Sequence, residues 1–174
     1  MSIEIVFETH STTEDNEAGV ATGWLPGRLS AAGREQAREL GRRRNDDGIA
    51  TVFVSDLSRA TETAEIAFGG SSLPIIPDAR LRECNYGALN GTTGPVRDRA
   101  AHLDVPYPGG ESWRQAVDRV TGFLHESRRE RDGERVLVIG HVATWLALEV
   151  ANGDSLEDFL GAAFSWQPGW EYVV

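Results

Sequence analysis

Hydrophobic and polar positions follow two periods along the chain. Short apolar, β-branched runs stand at residues 2–7, 50–54 and 135–139 and read as buried strands. A weaker run at 73–76 predicts a further short strand, and 169–174 a terminal one. Between these runs the spacing lengthens to that of a helix. Ser30 stands as the cap of a helix predicted to reach about residue 44, with Ala37 and Leu40 on one face. Ser55 or Asp56 is expected to cap a second helix through about Ala67. The segment 111–130 carries Val117, Val120 and Leu124 inward, which predicts a long amphipathic helix. Further helices are expected from Ala143 to Ala151 and, briefly, from Glu157 to Leu160. Residues 8–29, rich in Thr, Asn, Gly and Pro, read as one long loop, and 80–96 as irregular. Loops of that length inside a compact domain usually carry function.

Strands alternating with helices predict an α/β fold, a three-layer α/β/α sandwich around a largely parallel sheet covered on both faces. Ligands of such sheets bind beyond the carboxyl ends of the strands. Three predicted strand ends lead to His10, to Asp56 with Arg59, and to His141, so segments distant in sequence are expected to converge.

Composition narrows the function classes. With 174 residues, the chain is read as one domain spanning 1–174. No apolar run approaches the roughly 18 residues a bilayer span needs. The N-terminal MSIEIVFETH lacks the pattern of a signal peptide, so a cytoplasmic location is expected. Cys84 is the single cysteine, which rules out an internal disulfide and a cysteine-based zinc set. The formal net charge of -10 opposes nucleic acid and anionic membrane as partners. An anionic substrate would then need a local positive pocket. All 17 basic residues are arginine, which excludes a P-loop lysine and lysine Schiff-base chemistry.

Four residues are candidates for chemistry. His10 follows a strand and opens a polar loop, where a neutral imidazole can serve as nucleophile or base; a surface loop histidine is the alternative. His141 stands at a strand-to-helix switch, whose free N–H groups favour a bound anion; a capping histidine is the alternative. Arg59 lies in the first turn of a predicted helix, next to its positive end, which points to an anionic partner such as Asp56 or a phosphate; a surface ion pair is the alternative. Glu83, in the glycine-containing stretch LRECNYGALNG, is placed to protonate a leaving group or to be a solvated loop residue. His102 and His125 read as surface residues, Trp166 and Trp170 as packing aromatics, and Cys84 receives no role.

Taken together, six segments between residue 3 and about residue 148 resemble, in order, the signatures of the phosphoglycerate-mutase-like branch of the histidine phosphatase superfamily. They are THSTTEDN, ATGWLPGRLSAAGREQA, SDLSRATETA, LRECNYGALNG, PYPGGESW and VLVIGH. The resemblance implies a phosphoglycerate-mutase-like fold and a metal-independent phosphatase without cofactor, acting on a small phosphorylated substrate. It implies that His10 becomes a phosphohistidine, that Arg59 and His141 hold the phosphoryl oxygens, and that Glu83 donates a proton and later helps activate water. Thr13 and Asn16 match the first signature, with Asn16 as a phosphate donor. Thr22, Gly23 and Tyr86 match positions at the substrate mouth of mutases. The sequence does not fix the number of subunits, a dimer being one option.

The pattern departs from the family beside the first histidine. Thr9 replaces an arginine, Ser11 a glycine and, after the second histidine, Val142 a common glycine. An arginine there would clamp phosphate bidentately. Losing one such donor costs about 3–4 kcal/mol in the transition state. Thr9 and Ser11 are read as neutral donors in its place, while Arg28, Arg82, Arg97 and Arg99 are the candidate replacements for its charge. Glu8 adds a carboxylate whose direction the strand pattern leaves open. Three readings stand in order: an active phosphatase, a phospho-ligand-binding protein without turnover, and a mutase. The mutase stands last because the segment between Glu83 and Pro106 is short for a lid that excludes water.

Overall fold

The computed structural model describes residues 2–94, 98–161 and 164–174. Arg97 therefore lies outside the described residues. The described residues form five strands: β1 (Glu4–Thr9), β2 (Thr51–Ser55), β3 (Ile75–Asp78), β4 (Arg135–Gly140) and β5 (Trp170–Val173). They make one sheet in the order β3-β2-β4-β1-β5. All pairings are parallel except β1 with β5.

Alternation within the strands sorts the side chains into two cores. Ile3, Ile5 and Phe7, with Val136 and Val138, face helices α4 (Trp113–Glu130) and α5 (Val142–Ala151). Val6, Leu137 and Ile139 face the opposite core with Val52 and Val54, under α2 (Ala31–Arg44) and α3 (Ser58–Phe68). Trp113 is fully buried at the start of α4. Truncating such a side chain to alanine typically costs about 3–5 kcal/mol. This is the three-layer α/β/α arrangement that the alternating pattern predicts. Among the described residues no helix is long and apolar enough to cross a membrane.

Several boundaries differ from the sequence expectation. The 8–29 loop contains a short helix, α1 (Glu14–Ala18), capped by Thr13 in a capping box with Asn16. The third helix is preceded by Leu57, not capped by Ser55 or Asp56, because Ser55 still belongs to β2. The long helix starts at Trp113, capped by Ser112. The last short helix, α6, spans Leu156–Leu160. Trp170 packs on Phe7 as expected, but Trp166 is 58% exposed.

The direction of Glu8 follows from the same alternation. It shares the face of Val6, toward α2, and so points away from the core beneath α4 and α5. There it is 2% exposed, with Oε1 accepting from Arg44 Nε at 3.1 Å and Nη2 at 3.0 Å. Arg43 Nη2 donates to both of its oxygens. The basic run that ends α2 therefore neutralises a buried strand carboxylate as well as suiting the helix dipole.

Candidate active site

The carboxyl ends of β2, β4 and β1 adjoin in the sheet and deliver Ser55, His141 and His10 to one place. The His10 N–H extends the ladder by donating to the Gly140 carbonyl at 3.1 Å. The imidazoles of His10 and His141 then stand 5.0 Å apart, centroid to centroid. The loop after His10 is pinned from two helices. Ser11 N donates to Thr63 Oγ1 on α3. Thr12 donates to Gln36 Oε1 and accepts from the Ser30 N–H. A Cβ at Gly33 would lie 1.9 Å from the Thr12 carbonyl oxygen, so only glycine admits this close approach. Ser30, Gly33 and Gln36 of the second signature thus act as scaffolding for the histidine loop.

The hydrogen bonds define where the ring protons sit. His10 Nδ1 lies 2.8 Å from the Ser11 carbonyl, which can only accept, so Nδ1 carries the proton and Nε2 the lone pair. Arg59 Nε points at that lone pair from 3.4 Å. Lost hydration and then the Arg59 charge hold His10 far below the usual histidine range, at about 3. His141 is 1% exposed, with Nε2 2.8 Å from Ser55 Oγ. Burial first, then Arg59, keeps it well below the ordinary value too. Both rings are neutral near pH 7.

Arg59 sits between them. It is the second residue of α3, 3% exposed, near a helix end whose partial charge is positive. Nη2 donates to the Gly23 carbonyl at 2.9 Å and lies 3.4 Å from His141 Nδ1. Nη1 is buried and has no hydrogen-bond partner among the described residues. Burial pulls its pKa below the usual arginine value, opposed first by Glu83 and more weakly by Asp15. A buried guanidinium with an unused N–H group is costly unless an anion comes to it.

The helix start predicted to take an anion is occupied from within the chain. The Glu83 carboxylate accepts from the N–H groups of Val142 at 3.3 Å and Ala143 at 3.1 Å, at the start of α5, and from Cys84 N at 2.9 Å. It is 9% exposed and lies close enough to Arg59 to raise its pKa. His141, Arg59, His10 and Glu83 therefore form one cluster from four distant segments.

The other candidates fall into different environments. Ser11 is buried, with its carbonyl on His10 Nδ1. Thr9 is part-exposed at the end of β1. Thr13 is fully buried and its hydroxyl accepts from Asn16 N, so its first role is to cap α1. Asn16 is exposed, its Oδ1 held by Thr13 N. Thr22 donates to Asp15 at 2.7 Å. Gly23 adopts φ +56°, and its carbonyl anchors Arg59. Tyr86 packs against Tyr107 and Trp113, with its ring edge close to Gly23, and burial raises its pKa. Val142 contributes its backbone N–H to Glu83.

Two of the four candidate replacements for the missing arginine, Arg82 and Arg99, are engaged elsewhere. Arg28 is exposed, and it is its carbonyl that ties the loop to α1. Arg82 is held bidentately by Asp56 at 2.6 Å. Arg99 stacks over Trp113. Burial pushes the Cys84 thiol up, away from reactivity. Among the described residues no group of three His, Cys, Asp or Glu side chains is arranged to hold a metal. Sequence reasoning missed Ser55, whose only signal was its place at a strand end in the third signature.

Known proteins share this arrangement of chain. A 2,3-bisphosphoglycerate-dependent phosphoglycerate mutase of Methylobacterium sp. is 36% identical over 154 residues, covering 79% of this chain and 74% of its own. The solved structure of Bacillus stearothermophilus YhfR superposes with a TM-score of 0.86 at 28% identity, covering 98% of this chain and 90% of its own. A mycobacterial glucosyl-3-phosphoglycerate phosphatase, solved with VO3, shares the fold with a TM-score of 0.82 at 23% identity, covering 92% of this chain and 87% of its own. The family model described as the histidine phosphatase superfamily, branch 1, matches residues 5–160, and the chain belongs to that superfamily.

Proposed function

We propose that the chain is a metal-independent phosphatase that hydrolyses a small phosphate monoester through a phosphohistidine at His10. The observation that carries this reading is the unpartnered, buried Nη1 of Arg59, held beside two neutral histidines. Its cost is relieved when a phosphoryl oxygen accepts from it.

The chemistry then follows from the geometry. His10 Nε2 carries a lone pair and attacks phosphorus in line, while the bond from phosphorus to the alcohol oxygen breaks. Arg59 and His141 take the developing charge on the phosphoryl oxygens. The Ser55 hydroxyl both donates and accepts, so His141 is able to shift its proton to Nδ1 and offer it to the phosphoryl group. Glu83, protonated, gives its proton to the departing alkoxide. As a carboxylate it then takes a proton from water, which attacks phosphorus and breaks the P–N bond. Inorganic phosphate leaves and the lone pair returns to Nε2.

Thr9 in place of arginine favours a second reading, a phospho-ligand-binding protein without turnover. Arg82 and Arg99, engaged elsewhere, give that reading weight. Phosphate release from a panel of phosphomonoesters, without added metal, separates the two. The expected result is release by the wild type that is lost in His10→Ala and rises in Thr9→Arg. No release by the wild type, with a gain in Thr9→Arg, would withdraw the phosphatase reading in favour of binding.

A further inference from the structure

We infer that Trp24 is a positioning residue for Glu83, holding the carboxyl group where it protonates the leaving alkoxide. The inference rests on Glu83 acting as the proton donor proposed above.

Trp24 and Glu83 are distant in sequence and are joined by one short bond. The indole Nε1–H donates to the backbone carbonyl of Glu83 at 2.7 Å. The indole is itself held from outside. The Arg82 guanidinium lies 4.6 Å from its ring centroid, and both nitrogens on Arg82 that face Asp56 bind its carboxylate at 2.6 Å. Arg119 lies 5.8 Å from the same ring, and its Nη2 shares the Glu83 carbonyl at 3.2 Å. Asp56 follows Ser55, the residue bound to His141. A continuous set of contacts therefore runs from the indole to the histidine cluster.

The distribution of these bonds argues for positioning over folding. The carboxylate of Glu83 is set by the N–H groups of Cys84, Val142 and Ala143, but these fix only the far end of a flexible side chain. The near end is fixed by its own peptide carbonyl, which Trp24 and Arg119 hold. Removing the indole N–H leaves the Arg119 bond, so the buried acceptor stays satisfied. What changes is the placement of the backbone that carries the acid. Small displacements of reacting groups cost up to about 10²-fold in rate.

Leaving-group dependence distinguishes this role from a structural or substrate-contact role. Nitrophenolate departs without a proton, whereas an alkoxide needs one. kcat/KM reads only the steps up to departure of the alcohol, before water attack. We would measure kcat/KM of the wild type, Trp24→Phe, Glu83→Gln and the double variant on p-nitrophenyl phosphate and on benzyl phosphate. Trp24→Phe keeps an aromatic face under Arg82. It is expected to lose about tenfold on benzyl phosphate and less than about twofold on p-nitrophenyl phosphate. Added to Glu83→Gln, it should cost nothing more. Asp56→Asn, at a part-exposed position, frees Arg82 from its anchor and should show the same selectivity to a smaller degree, so a Trp24→Phe chain that does not fold still leaves a reading. Equal loss on both esters, or no loss on benzyl phosphate while Glu83→Gln discriminates between them, would overturn the inference. Loss of both esters equally in Glu83→Gln would instead overturn the assignment of the acid itself.

Discussion

Replacing Arg59 by methionine should separate catalysis from folding in this protein. Methionine follows the aliphatic stem of arginine and fills most of its volume, so the packing around α3 changes little. What disappears is a guanidinium that is 3% exposed and whose Nη1 finds no hydrogen-bond partner among the described residues. Two effects on stability oppose each other. The Gly23 carbonyl loses its donor, which costs about 1–3 kcal/mol for a buried acceptor. The buried cation with its unused donor is also gone, which returns a desolvation penalty of the order of several kcal/mol, reduced by the attraction of Glu83 and Asp15. The balance should lie within about 1 kcal/mol of zero. The transition state has no such offset. One preorganised donor is worth about 3–4 kcal/mol, so kcat/KM should fall by about 10²–10³ or more. The missing positive charge should also let both histidines titrate higher, since Arg59 is the second cause of the depression at each ring. Urea unfolding, kcat/KM on p-nitrophenyl phosphate and NMR titration of the two rings together test this. A variant destabilised by more than about 3 kcal/mol, with activity within tenfold of wild type, would show that Arg59 is a scaffold residue and refute the reasoning.

Three further outcomes are expected. His141 is nearly inaccessible and its pKa in the fold lies well below that of the unfolded chain. Below pH about 6.5 the unfolded state therefore takes up a proton that the folded state refuses, so this contribution to stability is full above that pH and shrinks as pH falls. Wild type should therefore lose more stability than His141→Gln between pH 7.5 and pH 5, read by urea unfolding at the two pH values; an equal loss in both would refute this. Glu8→Gln should cost about 3 kcal/mol of unfolding free energy, because Arg44 loses the buried carboxylate that holds its Nε and Nη2. Gly23→Ala places a Cβ 1.8 Å from Asn90 Oδ1 at φ +56°. It should destabilise by about 1–3 kcal/mol and, by moving the carbonyl that anchors Arg59, lower kcat/KM as well; an unchanged kcat/KM would remove Gly23 from the site.

Much of the architecture is legible in the sequence alone. The three strong strands and the helices from Ser30, near Glu111 and at Ala143 are written in local periodicity, which burial of one face imposes on any element. Helix starts were less legible. Ser55 has the chemistry of a cap, yet it stays in β2, where its hydroxyl accepts from Leu57 N and meets His141. The short α1 was hidden because its five residues bury nothing and so leave no periodic trace.

The sequence by itself determined that His10, Arg59 and His141 would meet, because each follows a strand that a parallel sheet brings to the same edge. It pointed to an anion for the arginine in the first turn of α3, but the Asp56 it offered pairs with Arg82 instead. Which anions already sit in the cluster was decided only by tertiary packing. The start of α5 is filled by Glu83, from 60 residues earlier in the case of Ala143, and no local pattern encodes a contact of that separation. Glu8 turns toward α2 because the register of β1 puts it on the face of Val6, and the arginines that neutralise it come from the far end of a helix. The indole of Trp24 reaches Glu83 only because the loop before α2 folds over the segment after β3. Periodicity fixes which face of an element is buried; the partner that the face meets depends on how every other element packs.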